Sequence, residues 1–440
     1  MAQRLSRLAW LLVALSPRAV LAAEPSAAPT PSPPETIVLR AAHLFDGSAD
    51  KLVSPGIVVV QGSKIVAVGS DASAPAGART IDLGDATLMP GLIDAHVHLT
   101  GEGTDNWYKD FADAYLQLVP ERTLRAVPFA RRTLEAGFTT VRNVGADDYV
   151  DVGLRNAIAA GTIVGPRMLV AVHAIGSTGG HGDGAALDPH FTDQPGPLEG
   201  VCNGPEQCRA AVRFQVKYGA DVIKVMPSGG VLSLTDPVDN PQLTREEMEA
   251  IVSEAHAWGR KVAAHCHGDA AAKVAIAAGV DSIEHGSFLQ SETLSAMKRK
   301  GIYLVPTLLA GETVGAKADK FPPTIAAKAR AAKAARTDMF RNAVRLGVPI
   351  AFGTDAAVSP HGQNGQEFAL MTGLGMTPIA ALKSATSGAA DLLGLEATLG
   401  TLEKGKIADV IAVRGNPLTD IHTMEHAVLV MKEGKLFVEP

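Results

Sequence analysis

The middle of this chain alternates apolar segments typical of β-strands with segments typical of helices. Such alternation predicts a parallel sheet, because each strand is connected to the next through a helix. Helix-like stretches include Arg245–Trp258 and Lys328–Leu346. Eight strand candidates over about 310 residues predict an α/β fold, a TIM (β/α)8 barrel with insertions. The strand candidates are Thr87–His98, Thr139–Val144, Met168–Ala174, Asp221–Met226, Lys261–His267, Ser282–His285, Tyr303–Leu309 and Pro349–Asp355.

Both ends of the chain carry a different pattern, in which short apolar runs are separated by turn residues. TIVLRAAHLF and GIVVVQGSKIVAVG lie near the start, and GKIADVIAVRG and HAVLVMKEGKLFV lie near the end. Such runs predict strands joined by hairpins. We therefore expect a small β-sandwich formed by both chain ends, with parts at residues 36–86 and 399–440 around a barrel at 87–398.

The first residues have the pattern of a targeting signal. Arg4 and Arg7 precede the short apolar core Leu8–Leu15, and small residues follow. This pattern predicts a cleavable signal peptide over residues 1–23, with an uncleaved membrane anchor as the alternative. Residues 24–35 are rich in Pro, Ala and Ser and predict a disordered linker. The mature protein is expected to be secreted or periplasmic, with no membrane association after cleavage.

Charge and composition exclude nucleic acid as an expected partner. The net charge is −6, no long run of one sign occurs, and aromatic residues make up 5% of the chain. A nucleic-acid binder normally concentrates basic residues, and single-strand binders add aromatic side chains on which bases stack.

The cysteines fit an oxidising compartment without requiring one. Cys202 and Cys208 lie six residues apart in VCNGPEQC. A disulfide across this loop is sterically possible, and two free cysteines are the alternative.

The sequence PGLIDAHVH places two histidines at the end of the first strand candidate. His96 and His98 are two residues apart, so both imidazoles project to the same side of a strand. Two neutral imidazoles at a barrel mouth form a natural ligand pair for a divalent transition metal. The alternative is a pair of surface histidines in a loop.

Lys224 lies within VIKVM, a strand candidate that is apolar on both faces. A buried, unpaired lysine costs several kcal/mol or loses its proton. A deprotonated lysine amine can react with carbon dioxide and become an anionic carbamate with two oxygen ligands. The alternative is a lysine that extends to solvent from the strand end.

Three further strand candidates each end in a residue that can bind a metal: His265, His285 and Asp355. Singly, each is more often a hydrogen-bonded structural residue than a ligand. Active sites of barrels are built at the carboxyl ends of the strands, so these groups are expected to converge with the first pair.

This set of residues resembles the amidohydrolase superfamily, specifically its two-metal members with a carboxylated lysine. The resemblance covers nearly the whole predicted mature chain, including GTLEKGKIADVIAVRGNPL near its end. It implies two divalent ions, with zinc expected, and a catalytic acid–base at Asp355. The implied ligands are His96, His98 and Asp355 for one ion, His265 and His285 for the other, and carboxylated Lys224 between them.

Within the superfamily the chain most resembles imidazolonepropionase-like dipeptidases, including Xaa-Pro-type dipeptidases and ochratoxin-hydrolysing amidohydrolases. The stretches that carry this resemblance are YGADVIK ending at Lys224, SGGV beginning at Ser228, and AHCHG around His265. The resemblance implies attack by a metal-bridging hydroxide on a small-molecule amide or dipeptide. The product would be an amino acid with a free carboxylate.

Five other residues have expected positions that follow from the strands and loops in which they lie. His267 shares strand parity with His265, and His181 lies in the glycine-rich loop STGGHGD, so both are candidate substrate contacts together with Ser228. For His267 a structural role is the alternative. Cys266 and Glu284 have the opposite parity and are expected to face the surrounding helices.

Two other functions fit the same fold. A single-metal deaminase or imidazolone-type cyclic amidohydrolase generally does without the bridging lysine, so Lys224 argues against it. A non-catalytic binding scaffold would usually lose ligands, whereas this sequence keeps all six. A homo-oligomer stays open as an alternative to a monomer.

Overall fold

A computed structural model of the chain describes residues 35–73, 75–183, 188, 190 and 193–440. The predicted signal peptide and all but the last residue of the predicted linker lie outside these residues. Within the described ranges, no helix is both long enough and apolar enough to cross a membrane.

The described residues form strands that cluster at both ends of the chain and alternate with helices between them. The strands are β1 (Thr36–Ala41), β2 (His43–Leu44), β3 (Gly56–Gln61), β4 (Lys64–Gly69), β5 (Arg79–Asp82), β6 (Ala86–Pro90), β7 (Leu92–Val97), β8 (Phe138–Asn143), β9 (Arg167–Val170), β10 (Val222–Val225), β11 (Lys261–Cys266), β12 (Ser282–His285), β13 (Tyr303–Val305), β14 (Val410–Arg414), β15 (Ala427–Lys432) and β16 (Lys435–Val438). The α-helices are α1 (Trp107–Leu116), α2 (Val119–Glu135), α3 (Val150–Ala159), α4 (Pro205–Lys217), α5 (Arg245–Ala257), α6 (Asp269–Ala278), α7 (Ser291–Lys300), α8 (Leu308–Ala316), α9 (Pro323–Leu346), α10 (Gln366–Gly373), α11 (Pro378–Ser384) and α12 (Ser387–Leu393).

Two sheets are built from the ends of the chain. One has the order β4-β3-β1-β5, and the other has the order β16-β15-β14-β6-β2, which joins strands from both ends. In the second sheet, β14 runs antiparallel to β6. The two sheets share one buried apolar cluster, whose members include Leu39, Val58, Leu88, Val410 and Met431. Alternating strands of this kind bury one face against a common core.

The middle of the chain forms two parallel sheets, β7-β8-β9 and β10-β11-β12-β13. Ile175 N donates to Lys224 O at 2.8 Å and connects the segment after β9 to β10. The segment 349–356 contacts both outer strands, because Ala351 N donates to Leu304 O at 3.0 Å while Ala95 N donates to Phe352 O at 2.8 Å. Hydrogen bonds thus run from each parallel strand to the next, and from the last segment back to the first strand.

Several strand predictions differ from the structure. The candidate Tyr303–Leu309 forms a strand only to Val305, because α8 begins at Leu308, and the candidate Met168–Ala174 ends as a strand at Val170. The candidate Thr87–His98 is divided into β6 and β7, which belong to different sheets. The division falls at Gly91, where a Cβ atom would lie 2.2 Å from Thr139 Oγ1. The segment Pro349–Asp355 is not a regular strand, and its last residue has a φ of +57°. A positive φ ends an extended strand and turns the side chain away from the alternation of a sheet.

The structure joins Cys202 and Cys208 by a disulfide where α4 begins, with Cα atoms 5.0 Å apart. Cys266 is free and buried, and it lies in the large apolar cluster that also contains side chains of α5 and α6. These two helices pack outside β11, so Cys266 faces away from the side chains of His265 and His267.

Candidate metal centre

The carboxyl ends of the parallel strands open on a cavity of about 240 Å³. All six residues predicted as ligands line it, and so do His181 and His267. The rest of its wall is mainly apolar and comes from α8, α9 and two loops. These wall residues are Met226, Val231, Leu232, Ala310, Gly311, Val314, Ala329, Ala332 and Val358, with Lys333 and Arg336 as the charged members.

His96 and His98 meet Asp355 on one side of the cavity. The Nε2 atom of each histidine lies 3.5 Å from Asp355 Oδ1. His98 Nδ1 is 3.0 Å from Gly145 O, so the ring is held from behind and its Nε2 faces the cavity. Burial lowers the pKa of both imidazoles to about 4, which keeps them neutral and able to bind a metal at neutral pH.

His265 and His285 lie next to this group, with ring centroids 4.6 Å apart, and the His285 ring centroid is 5.0 Å from that of His96. His285 Nδ1 is 2.7 Å from Thr307 Oγ1, and His265 Nε2 is 3.2 Å from Gly229 O. Each ring is therefore fixed through one nitrogen and keeps the other for a ligand, as metal-binding histidines generally do. Burial lowers the pKa of both rings well below the ordinary value.

Lys224 enters the cavity from β10, and only 1% of its surface is exposed. Within the described part of the chain, its amine is influenced by charges but has no hydrogen-bond acceptor. Burial lowers the pKa of this amine to about 8. Burial also raises the pKa of the Asp355 carboxyl, against the lowering effect of His96 and Lys224.

The donor set fits divalent ions of the zinc type. The ligand atoms of His96, His285 and Asp355 all lie within 4.8 Å of one another, and so do those of His265, His267 and His285. Neutral imidazoles and a carboxylate suit zinc, manganese or cobalt.

Glu284 was predicted to face the helices, and this prediction was wrong. Glu284 is fully buried, its Oε2 is 2.7 Å from His96 Nδ1, and its Oε1 accepts a hydrogen bond from Arg142 Nη2 at 2.9 Å. The prediction assumed that side chains alternate along an extended strand. His285 instead has a φ of +68°, which lets the adjacent side chains of Glu284 and His285 both project inward. Burial opposes ionisation, but Arg142 and His96 hold the pKa of Glu284 at about 2. Glu284 therefore orients His96.

Replacing Glu284 with Gln should loosen His96 and leave Arg142 as an unpaired buried charge. We expect metal affinity to fall about 10–100-fold, since that is the usual cost of losing an outer partner. Unfolding of the metal-free protein should become easier by about 3–5 kcal/mol. Metal titration and urea unfolding measure the two effects. Adding Arg142→Met should recover part of the stability but not the metal affinity, and recovery of both would contradict this role.

Asp94 is a second residue whose role the sequence did not reveal. Its carboxylate accepts hydrogen bonds from Thr354 Oγ1 at 2.6 Å, Asn364 Nδ2 at 2.8 Å and His96 N at 3.0 Å. Burial raises its pKa to about 6. Asp94 thus fixes the turn that carries Asp355. The signal available in the sequence was an acidic residue inside an otherwise apolar strand.

The three predicted substrate contacts have different positions. His181 lines the cavity with its ring centroid 4.5 Å from that of His265, and its Nδ1 is 3.2 Å from Ser233 Oγ. His267 stacks on His285 at 4.9 Å. Ser228 is fully buried outside the cavity lining, where its hydroxyl accepts a hydrogen bond from His267 N at 2.9 Å.

Parallel strands that end in a cluster of neutral imidazoles and a carboxylate define a metal-dependent hydrolase of the α/β class. The chain belongs to the amidohydrolase family, whose model matches residues 87–437. This family is metal-dependent, and its known structures imply a TIM barrel for this chain.

Comparisons with individual known proteins agree with this family assignment. An ochratoxinase of Aspergillus niger is 36% identical over 434 residues, covering 92% of this chain and 87% of that protein. The crystal structure of a Xaa-Pro dipeptidase with bound methionine in the active site is 41% identical with a TM-score of 0.88, covering 92% of this chain and 100% of that one. The structure of A. niger ochratoxinase is 33% identical with a TM-score of 0.82, covering 93% and 97%. The prediction of a metal-dependent hydrolase acting on amide bonds is confirmed.

Proposed function

We propose that this protein hydrolyses the amide bond of N-acyl amino acids or dipeptides and releases an amino acid with a free carboxylate. Ochratoxin A is one candidate substrate, because an ochratoxinase is among the similar proteins. The observation that carries the proposal is one cavity in which six ligand-type side chains meet a largely apolar wall. Such a wall suits the side chain of an apolar amino acid and limits the access of water.

The residues present would hold two divalent ions, which we propose to be zinc. His96, His98 and Asp355 would hold one ion, and His265 and His285 would hold the other. When bound, the ions would activate a water molecule and polarise the scissile carbonyl.

Lys224 is proposed to be carboxylated. Its neutral amine would attack carbon dioxide, forming an N–C bond and releasing one proton, and the product is an anionic carbamate. Burial and the lowered pKa of the amine support this assignment, because only the neutral amine reacts.

Asp355 is proposed as the acid–base of the reaction. Its carboxylate is held by the turn that Asp94 fixes and lies 3.5 Å from both histidines of the first position. It would take the proton of the attacking water and pass it to the departing nitrogen.

The architecture we propose around this site is an eight-stranded barrel over residues 87–398. The continuous hydrogen bonds from β7 to the segment 349–356 support closure. The shared core of the two terminal sheets supports a β-sandwich formed by residues 36–86 and 399–440. We also propose a secreted or periplasmic location, which the disulfide and the signal-like first 23 residues favour.

The proposed reaction is tested by measuring amino-acid release from a panel of substrates. The panel contains dipeptides with C-terminal Pro, Phe, Leu, Lys or Arg, N-acetyl amino acids and ochratoxin A. We expect release from apolar members that a chelator abolishes and zinc restores. Release that a chelator does not affect would contradict the proposal, as would hydrolysis confined to esters and lactones.

A further inference from the structure

Arg336 is a buried cation that reaches the cavity from a helix outside the strands. It lies on α9, only 7% of its surface is exposed, and it lines the cavity together with Asp355 and Lys224. Among the residues that the structure describes, its nitrogens form hydrogen bonds with neutral oxygens only, with Nη1 3.2 Å from Thr307 O and Nη2 3.3 Å from Ser287 Oγ. A buried cation normally pairs with an anion, because burying a lone charge is costly.

The carboxylates near Arg336 are already engaged by other groups. Glu312 accepts Lys333 Nζ at 2.7 Å, and Glu367 accepts two backbone amides at the start of α8. Glu367, Asp355 and Glu312 all attract the guanidinium at longer range, and none of them forms a hydrogen bond with it among the described residues. Burial lowers the pKa of Arg336, but a guanidinium keeps its proton in proteins. Within the described residues, the charge of Arg336 therefore lacks a carboxylate of its own.

The helix opposite leaves room for this guanidinium. A Cβ atom at Gly311 of α8 would lie only 1.5 Å from Arg336 Nη1. One turn further along, a Cβ at Gly315 would lie 2.4 Å from Lys333 Cδ. Two glycines one turn apart thus accommodate two basic side chains of α9, and in the described part of the chain Lys333 pairs with a carboxylate whereas Arg336 does not. The packing of α8 against α9 directs the Arg336 guanidinium to the cavity wall.

We propose that Arg336 binds the carboxylate of the amino acid released by the reaction and thereby selects substrates with a free carboxylate. The inference rests on the proposed function and assigns a carboxylate subsite to its cavity. In an N-acyl amino acid, only the nitrogen and Cα separate the scissile carbonyl carbon from the carboxylate. A side chain that binds this carboxylate must therefore lie beside the reacting groups, and Arg336 lines the same cavity as they do. A guanidinium matches a carboxylate with two parallel hydrogen bonds.

The test compares each acid with its neutral carboxamide. N-acetyl-L-proline, N-acetyl-L-phenylalanine and N-acetyl-L-methionine are assayed beside their C-terminal amides. We expect the native protein to prefer the acid by about 100-fold in kcat/KM, because the neutral amide would leave the buried charge of Arg336 without an anionic partner. Arg336→Met should reduce the preference below about 10-fold, mainly by raising KM for the acid. A general effect on Asp355 or on folding would slow acid and amide equally.

Two other variants distinguish the position of the Arg336 guanidinium from the general effect of a positive charge on α9. Gly311→Ala keeps the arginine but displaces its guanidinium, so it should also lower the preference for the acid. Arg330→Met removes an exposed arginine of α9 that pairs with Asp319, and the preference should stay within about 2-fold of the native value. Metal content and melting temperature are measured for every variant. An unchanged preference in Arg336→Met would overturn the inference while leaving the amidase reaction intact.

A binding measurement covers the case in which the native protein releases no amino acid, which would reject the proposed function. Calorimetric titration of the metal-loaded protein then compares N-acetyl-L-phenylalanine with its amide. Tighter binding of the acid in the native protein and its loss in Arg336→Met would support the carboxylate subsite. Equal affinities for the acid in the two proteins would overturn it.

Discussion

Asp355→Asn is expected to lower kcat by about 1,000- to 10,000-fold, the upper range for loss of a general acid–base. The amide has nearly the shape of the carboxylate, and the turn that positions it depends on Thr354 and Asp94, which do not change. The amide cannot take up and return a proton. The measurement is kcat on the preferred substrate of the panel.

Metal content separates this effect from the loss of an ion. Asp355 lies 3.5 Å from both His96 and His98, which stay in place, so the variant should keep most of its metal when zinc is supplied in excess. A variant that keeps its metal and turns substrate over within about 10-fold of the native rate would contradict the assignment of Asp355.

Lys224→Met is expected to lose one of the two ions and more than about 1,000-fold in kcat/KM, which exceeds the 10–100-fold typical of an outer partner. Methionine has a similar length but cannot form a carbamate. The position is buried among apolar residues of β10, so the substitution should not destabilise the fold. Metal analysis and amino-acid release measure the two losses.

Lys261→Met provides a matched control. Lys261 begins the neighbouring strand β11 at its opposite end, and its amine donates to Asp391 O. This variant should keep both ions and native turnover. If Lys224→Met kept both ions as well, the bridging role of the lysine would be rejected.

The fold class and the meeting of the six candidate ligands could be predicted because the ligands lie near the ends of five separate apolar segments, the first of which carries both His96 and His98. Parallel strands bring their carboxyl ends together, so sequence positions such as His96, His265 and Asp355 were sufficient to expect one cavity. The disulfide could only be stated as one of two alternatives, since spacing does not determine whether Cys202 and Cys208 pair.

Other features depend on backbone conformations that the sequence pattern does not reveal. Parity assigned Glu284 to the wrong side because it assumes an extended strand, whereas His285 adopts a positive φ. Asp355 has the same kind of conformation, which is costly for a residue other than glycine and is typical of functional sites.

The position of Arg336 in the cavity wall could not be predicted from the ends of the strand candidates. It belongs to a long helix with six basic residues, and nothing in its local sequence separates it from exposed neighbours such as Arg330. Its position depends on the contact between α8 and α9 and on the space left by Gly311. Such tertiary contacts become visible only in the folded chain.

The most direct test of a two-metal amide hydrolase is amino-acid release as a function of bound metal. Protein freed of metal by a chelator would be titrated with zinc in the presence of bicarbonate, while release from the preferred N-acetyl amino acid and bound zinc per chain are measured together. We predict that activity rises until about two ions are bound per chain and then stays constant. Full activity with one ion would favour a single-metal enzyme, and activity without any ion would contradict the metal centre described above.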